Sequence, residues 1–205
     1  MTISPTSQAL LDIKAAVFSP DAPLIFKSGI ISPIYVDNRR LPYEPQAWHT
    51  IIDALRSLIS ARNLAFDVIA GIETGGIPHS AALAYATNAP SVFVRKQPKE
   101  HGTKRRVEGG DVVGKRVLLI EDTITTGGSS LSGVEALQEE GAQVVACLAI
   151  FSYGFPQAAA AFAKVNVPLL PLASLTELLE AARQTGYFTS EAIALIENWR
   201  QQISG

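Results

Sequence analysis

The sequence predicts an α/β protein in which a parallel sheet is flanked by helices. Short runs rich in β-branched residues alternate along the chain with longer segments whose apolar residues recur at helical spacing. The short runs lack regular polar alternation, which is typical of strands that are buried on both faces of a parallel sheet. They are residues 66–70, 91–95, 116–121 and 143–151. Because strands and helices alternate, we expect helical crossovers between parallel strands.

Several segments have the apolar spacing of amphipathic helices. The clearest is residues 45–62, whose apolar side chains follow the i, i+3, i+4 rule. The others are residues 6–18, 77–87, 130–140 and 189–201. Gly141 predicts a helix stop, and Ser174 with Glu177 has the spacing of a capping box that begins a further helix.

The chain before Pro45 does not fit this alternation. Residues 26–37 combine turn formers with a short apolar run, and they predict a bent hairpin added to the sheet. We therefore predict a single domain over residues 1–205, with an N-terminal helix and hairpin at 1–44 and an α/β core at 45–205.

Composition excludes several classes of protein. A net charge of −2 provides no global positive field for nucleic acid, so anion recognition must be local. The first residues lack the pattern of a signal peptide, and no apolar run is long enough to span a membrane. The single Cys147 lies in a predicted buried strand and cannot form a disulfide within one chain, and nothing in the composition supports a metal site. We expect a cytoplasmic protein.

The most informative stretch is residues 117–129, VLLIEDTITTGGS. A buried strand ends in the adjacent carboxylates Glu121 and Asp122, where open α/β sheets bind their ligands. A turn of small residues follows and opens a helix, and the free N–H groups at a helix N-terminus favour an anion. Acceptors for sugar hydroxyls beside a phosphate cradle predict a ribose 5-phosphate site. The alternative is an ordinary strand-to-helix turn with two solvated acids; a Walker phosphate loop is excluded because its glycine and lysine pattern is absent.

This stretch resembles the phosphoribosyl-diphosphate (PRPP) signature of the type I phosphoribosyltransferases. Three further segments resemble the orotate phosphoribosyltransferase family: FKSGIISPIYVDNR at 26–39, GIETGGIP at 71–78 and VRKQPKEHGTKRRVEG at 94–109. Taken singly, they are also compatible with a surface turn, a loop before a helix and a solvated or nucleic-acid-binding basic face. All four occur in the family's order, and the basic segment lacks the aromatic neighbours of a single-strand binding site.

The resemblance implies a type I phosphoribosyltransferase-like parallel sheet whose N-terminal residues form a small hood over the acceptor base. It also implies that orotate and PRPP are the substrates, that Mg²⁺ is the cofactor, and that the protein is a homodimer in which Lys96 reaches the partner's site. The implied catalytic residues are Lys99, Asp122 and Lys96. The implied PRPP-binding residues are Thr74, Gly75, Arg95, Lys96, Lys99, His101, Glu121, Asp122, Thr123, Ile124, Thr125, Thr126, Gly127, Gly128 and Ser129. The implied orotate-binding residues are Thr125, Lys27 and Tyr35.

Two positions depart from the family's pattern. Many members have an arginine that pairs with orotate on the strand after the PRPP signature, whereas in this chain that strand ends in residues 149–154, including Ser152 and Tyr153, without an arginine. Lys27, Thr125 and backbone amides of the hood are the candidates to replace it. Many members also have a lysine in the 71–78 segment, where this chain has Thr74 and Gly75.

Two rival functions remain open at this point. One is a transferase for a purine or another base, which would share the PRPP signature but not the hood motif. The other is a PRPP-sensing regulator, which would carry an added DNA-binding domain and lack the catalytic loop.

Overall fold

The computed structural model describes residues 3–98 and 105–204. Within those ranges a six-stranded sheet forms the centre of the protein, in the order β10-β9-β8-β5-β6-β7. The strands along the chain are β1 (Ala16–Phe18), β2 (Leu24–Ile25), β3 (Ile31–Ser32), β4 (Ile34–Val36), β5 (Val68–Ile72), β6 (Ser91–Val94), β7 (Val107–Glu108), β8 (Arg116–Ile124), β9 (Gln143–Ser152) and β10 (Leu169–Ser174). All neighbours in the large sheet pair in parallel except β6 with β7. The predicted α/β fold class is confirmed.

Helices connect the parallel strands and flank the sheet. They are α1 (Pro5–Asp12), α2 (Pro45–Ala61), α3 (Gly76–Thr87), α4 (Gly128–Glu139), α5 (Pro156–Lys164), α6 (Leu175–Thr185) and α7 (Ser190–Ser204), with a 3-10 segment at Asn38–Tyr43. The capping box at Ser174 is present, and Gly141 has a positive φ just after α4, as the sequence predicts. None of the described helices is long and apolar enough to cross a membrane.

The two faces of the sheet are buried in separate clusters. In β8, Leu118 and Ile120 pack into the cluster that contains residues of α1, α2, α3 and α6, whereas Val117 and Leu119 pack into the cluster with residues of α4 and α5. Successive side chains of a strand point to opposite faces, so a strand that is covered twice needs an unbroken apolar sequence. This explains the run Val-Leu-Leu-Ile and fixes the strand end at which the carboxylates emerge.

The prediction of one helix over residues 6–18 is wrong beyond Asp12. Lys14 has φ +54°, which ends the helical path, and residues 16–18 form β1, in which Ala16 pairs with Val36 of β4. Tertiary pairing of a short apolar run therefore overrides its helical spacing.

The predicted hairpin near the N-terminus exists, but its attachment is wrong. Strands β2 and β3 pair antiparallel as a two-stranded sheet of their own, and β1 with β4 forms another, neither of them joined to the large sheet. The hairpin is held by side chains instead: the indole Nε1 of Trp199 donates to the Ile31 carbonyl at 2.7 Å. We call residues 16–39 the hood from here on.

Candidate active site

The site lies where the order of the sheet reverses. The chain moves outward from β5 to β6 and β7, returns to β8 on the other side of β5, and continues outward to β9 and β10. The carboxyl ends of β5 and β8 therefore flank a crevice, the usual ligand position in an open α/β sheet. A cavity of about 850 Å³ opens there, lined by the loops after β5, β6 and β8 and by the hood.

The turn that the sequence predicts to bind a phosphate joins β8 to α4. Gly127 has φ +84° and precedes α4 without a side-chain cap, so the first N–H groups of that helix face the cavity unblocked. A side chain at Gly127 would take up a strained conformation, and its Cβ would lie 3.2 Å from the Phe162 ring. Backbone N–H groups at a helix N-terminus and the positive helix dipole suit a phosphate.

Glu121 is held rigidly at the strand end. Its carboxylate accepts from the Asp122 amide at 3.1 Å and from the Ser130 hydroxyl at 3.0 Å, and the residue is 5% exposed. Burial, followed by the nearby charge of Asp122, raises the pKa of Glu121 well above its ordinary value. The adjacent carboxylates therefore differ in environment: Glu121 is buried, and Asp122 is half-buried at the cavity wall.

The carboxylate of Asp122 rests against the loop after β5. It accepts from the Thr123 amide at 2.8 Å, and a Cβ placed on Gly75 would lie 2.1 Å from its Oδ2 atom. A Cβ on Gly76 would lie 2.4 Å from the Ile120 carbonyl oxygen. Only glycine allows the loop and the acid pair to approach this closely.

Basic residues occupy the end of the cavity beyond β6. The Lys96 amide donates to Glu73 Oε2 at 3.0 Å, which ties the end of β6 to the loop after β5. The guanidinium of Arg106 donates to the Arg95 carbonyl at 2.9 Å and to Ser132, and Arg95 lies 3.7 Å from Glu108. Two predicted site residues of this segment, Lys99 and His101, lie outside the described residues.

The hood forms the opposite wall of the cavity. Asn38 is 1% exposed, and its Nδ2 donates to the Asp122 carbonyl at 2.7 Å and to the Thr123 hydroxyl at 2.9 Å. Tyr153, after β9, donates to the Ile34 carbonyl at 3.3 Å, and its ring centroid lies 5.0 Å from that of Phe26. The hood is therefore joined directly to the strand end that carries the acid pair.

The structure brings the predicted site residues of the described ranges together. All of them line the cavity, namely Lys27, Tyr35, Thr74, Gly75, Arg95, Lys96 and the nine residues 121–129. Their individual roles stay predictions. Sequence reasoning missed Asn38, Arg39, Glu73 and Ser130, although the DNR run at 37–39 lies inside a quoted motif and was available as a signal.

Carboxylate oxygens near the phosphate turn are the donors that suit Mg²⁺. Among the described residues no group of three or more acidic, histidine or cysteine side chains is placed to hold a metal ion. Glu121 and Asp122 fit a site in which substrate oxygens complete the coordination, because Mg²⁺ in proteins is often bound through one or two carboxylates together with phosphate groups.

Comparison with known proteins gives one consistent result. The phosphoribosyl transferase domain family matches residues 44–164. An orotate phosphoribosyltransferase of Bacillus pumilus is 43% identical over 195 residues, which cover 95% of this chain and 92% of that protein.

Solved structures are similar over most of the chain. The structure of Leishmania donovani UMP synthase has a TM-score of 0.82 and 27% identity, and the match covers 96% of this chain and 42% of that one. The Mycobacterium tuberculosis orotate phosphoribosyltransferase in complex with PRPP has a TM-score of 0.66 and 28% identity, over 85% of this chain and 98% of that one.

Proposed function

The chain belongs to the orotate phosphoribosyltransferase family, and from that premise we propose that it transfers the ribose 5-phosphate group of PRPP to orotate. The products are orotidine 5-monophosphate and pyrophosphate, a step of pyrimidine (UMP) biosynthesis in the cytoplasm. The observation that carries the proposal is the acid pair Glu121–Asp122 at the strand end, directly followed by the uncapped N-terminus of α4. The pair accepts from ribose hydroxyls while the helix N-terminus binds the 5-phosphate.

The reaction breaks the bond between C1 of the ribose and pyrophosphate and forms a bond from C1 to the ring nitrogen of orotate. Positive charge develops on the ribose in the transition state, and negative charge develops on the leaving group. The carboxylate of Asp122, fixed by the Thr123 amide, stabilises the cationic ribose. Orotate is acidic at its ring nitrogen, so the site needs no dedicated general base.

The leaving group lies at the β6 end of the cavity, where positive charge is concentrated. Arg95 and Lys96 provide side-chain charge, and the backbone N–H groups of the loop at Thr74 and Gly75 provide further donors. Since Thr74 stands where many relatives have a lysine, more of the neutralisation falls on Lys96 and on the predicted Lys99. Glu121 and Asp122 would hold Mg²⁺ together with substrate oxygens, and the ion would supply positive charge that offsets the charge of the leaving group.

The same proposal includes a homodimer in which Lys96 serves the partner's site. A mixture of Lys96→Ala chains and Asp122→Asn chains tests it, because each parent is expected to be nearly inactive. If Lys96 acts across the interface, half of the sites in each hybrid dimer contain neither defect, and a one-to-one mixture recovers roughly a quarter of wild-type activity. If Lys96 acts within its own chain, every hybrid site contains one defect and no activity returns. Subunit exchange is verified separately with differently tagged chains.

Base selection tests the function as a whole. The protein is incubated with PRPP, Mg²⁺ and one base at a time, and base consumption is followed by absorbance. We expect loss of orotate and none of adenine, guanine or uracil. Consumption of a purine without orotate would replace the proposal by the rival transferase, and no consumption of any base with retained PRPP binding would favour the regulator.

A further inference from the structure

The cationic side chains that line the cavity come from two parts of the chain, the segments at the end of β6 and before β7, and the hood. Arg95, Lys96 and Arg106 lie beyond β6, linked by the bond from Arg106 to the Arg95 carbonyl. Lys27 and Arg39 belong to the hood. A displacement at C1 places the incoming base and the leaving pyrophosphate on opposite sides of that carbon. The first group therefore serves pyrophosphate, and the hood cations face the incoming base.

Arg39 is the oriented member of the hood pair. Its Nε donates to Asp37 Oδ1 at 2.6 Å, and its Nη2 donates to the Tyr35 hydroxyl at 2.9 Å. Its Nη1 makes no hydrogen bond to any described residue. Lys27 is exposed and likewise has no hydrogen-bond partner within the described ranges. A planar guanidinium fixed at two of its nitrogens presents a directed donor, whereas a free lysine has to be ordered when it binds.

The end of β9 and the residue after it, Ser152 and Tyr153, provide no cation at this wall. The Ser152 hydroxyl accepts from the Gly154 amide at 3.1 Å, and the Tyr153 hydroxyl donates to the Ile34 carbonyl. Burial, and after it the nearby charges of Asp37 and Asp122, raise the pKa of Tyr35, whereas the charge of Arg39 lowers it. An anionic base entering between these acids needs a cation to offset the repulsion.

We propose that Arg39 is the residue that selects an anionic acceptor base, with its free Nη1 donating to the carboxylate of orotate. Asp37 and Tyr35 are positioning residues that hold the guanidinium at the cavity wall. The inference rests on the proposed function and names the specificity residue of the same site. It moves the carboxylate contact from Lys27, the sequence-based candidate, to Arg39.

The test compares Arg39→Met and Arg39→Lys with Arg40→Met as the matched control. Arg40 is the next residue, is also exposed, and points to Lys14, whose carbonyl accepts from it at 3.3 Å in a groove away from the site. KM is measured for orotate and for PRPP, and inhibition constants are measured for uracil and for the neutral carboxamide of orotate. Thermal midpoints check that each variant is folded.

We expect the KM of Arg39→Met for orotate to rise roughly 30-fold or more, as for loss of a charge-assisted hydrogen bond. Its KM for PRPP and its inhibition by the neutral bases should stay within about threefold of wild type. Arg39→Lys should fall between wild type and Arg39→Met, because it keeps the charge but loses the planar fork. Arg40→Met should behave as wild type.

An unchanged KM for orotate in Arg39→Met, or a loss that falls on PRPP alone, overturns the proposal. So does a rise in the KM for orotate in Lys27→Met that exceeds the rise in Arg39→Met. If Arg39→Met does not fold, the test rests on Arg39→Lys. An unchanged KM for orotate in that folded variant contradicts the proposal that the planar guanidinium of Arg39 holds the carboxylate. These results require that the wild type consumes orotate; failure of the wild type to do so refutes the proposed function itself.

Discussion

The phosphate side of the cavity and its hood side are built in different ways. On the phosphate side, residues 121–130 are contiguous, and they pass from a strand paired on both sides directly into α4. The hood has only short two-stranded sheets, and none of its strands pairs with the large sheet. Its buried residues Ala16, Ile34 and Val36 pack into the core, and its side-chain hydrogen bonds reach partners far apart in the sequence. The bond from Asn38 to the Asp122 carbonyl spans 84 residues, and the bond from Trp199 to Ile31 spans 168.

This difference indicates which part of the site is rigid and in which part the residues can vary. Acceptors at the end of a central strand and donors at a helix N-terminus are both fixed by backbone hydrogen bonds, so they suit the part of the reaction that every phosphoribosyltransferase shares. Because the hood strands do not pair with the large sheet, exposed hood residues can be exchanged without disturbing that sheet. The proposed role of Arg39 in choosing the acceptor base agrees with this division, because Tyr35 and Arg39 of the hood line the same cavity as the turn after β8.

The largest expected effect is on the phosphate side, at Asp122. Asp122→Asn keeps the size of the side chain but removes the charge that stabilises a cationic ribose. We expect kcat/KM for PRPP to fall by ~10² or more, which is about 3 kcal/mol of transition-state stabilisation. Steady-state kinetics with orotate saturating measures it.

The control for this variant is Asp53→Asn on α2, where an exposed aspartate pairs with Arg56 at 3.1 Å. It should leave kcat/KM unchanged, because surface ion pairs contribute little. An Asp122→Asn enzyme within threefold of the parent would remove Asp122 from the catalytic site.

Gly75→Ala tests the close approach of the loop after β5 to the same acid. The added Cβ would lie 2.1 Å from the Asp122 carboxylate, so the carboxylate or the loop has to move. We expect kcat/KM for PRPP to fall roughly 30-fold, or about 2 kcal/mol, with a smaller change in thermal stability.

Gly110→Ala is the matched control, because its Cβ would meet only a Val92 methyl group at 3.4 Å, outside the site. The argument from close approach to Asp122 is refuted if Gly75→Ala and Gly110→Ala both retain wild-type kinetics. Asparagine is as large as aspartate, so adding Asp122→Asn to Gly75→Ala should not relieve the contact. Restored activity in that double variant would therefore also contradict the argument.

The sequence predicts the phosphate side of the cavity better than the hood side. The phosphate side was predictable because Glu121, Asp122 and the turn to α4 are adjacent in the sequence. Four consecutive apolar residues also predict that the strand before the two acids is buried. Residues 16–18 have helical spacing but pair as a strand with β4, a contact that only the folded chain creates. Strand β10 contains Pro171, which argues against a strand in a sequence, yet an edge strand tolerates it.

The distant partners of single residues were not predictable. Asn38 lies inside a quoted motif, but no local pattern identifies Asp122 and Thr123 as its partners, because the sheet brings them to it. Ser130 looks like a residue of the first turn of α4, and its hydroxyl contact with Glu121 depends on the path of the turn between them.

The smallest expected effect is at Asn38, whose side chain connects the hood to the strand end that carries Glu121 and Asp122. Asn38→Ala removes both donors, whereas Thr123→Val removes one acceptor and leaves the bond to the Asp122 carbonyl. In a double-mutant cycle we expect a coupling free energy of about 1 kcal/mol between these positions, measured by denaturant unfolding. If this connection also aligns the hood over the acid pair, the KM for orotate should rise in Asn38→Ala while the KM for PRPP changes less. Additive effects on stability, or a KM change confined to PRPP, would mean that the hood is aligned by Tyr153 and Trp199 instead, and that the two sides of the cavity are joined through β9 and α7.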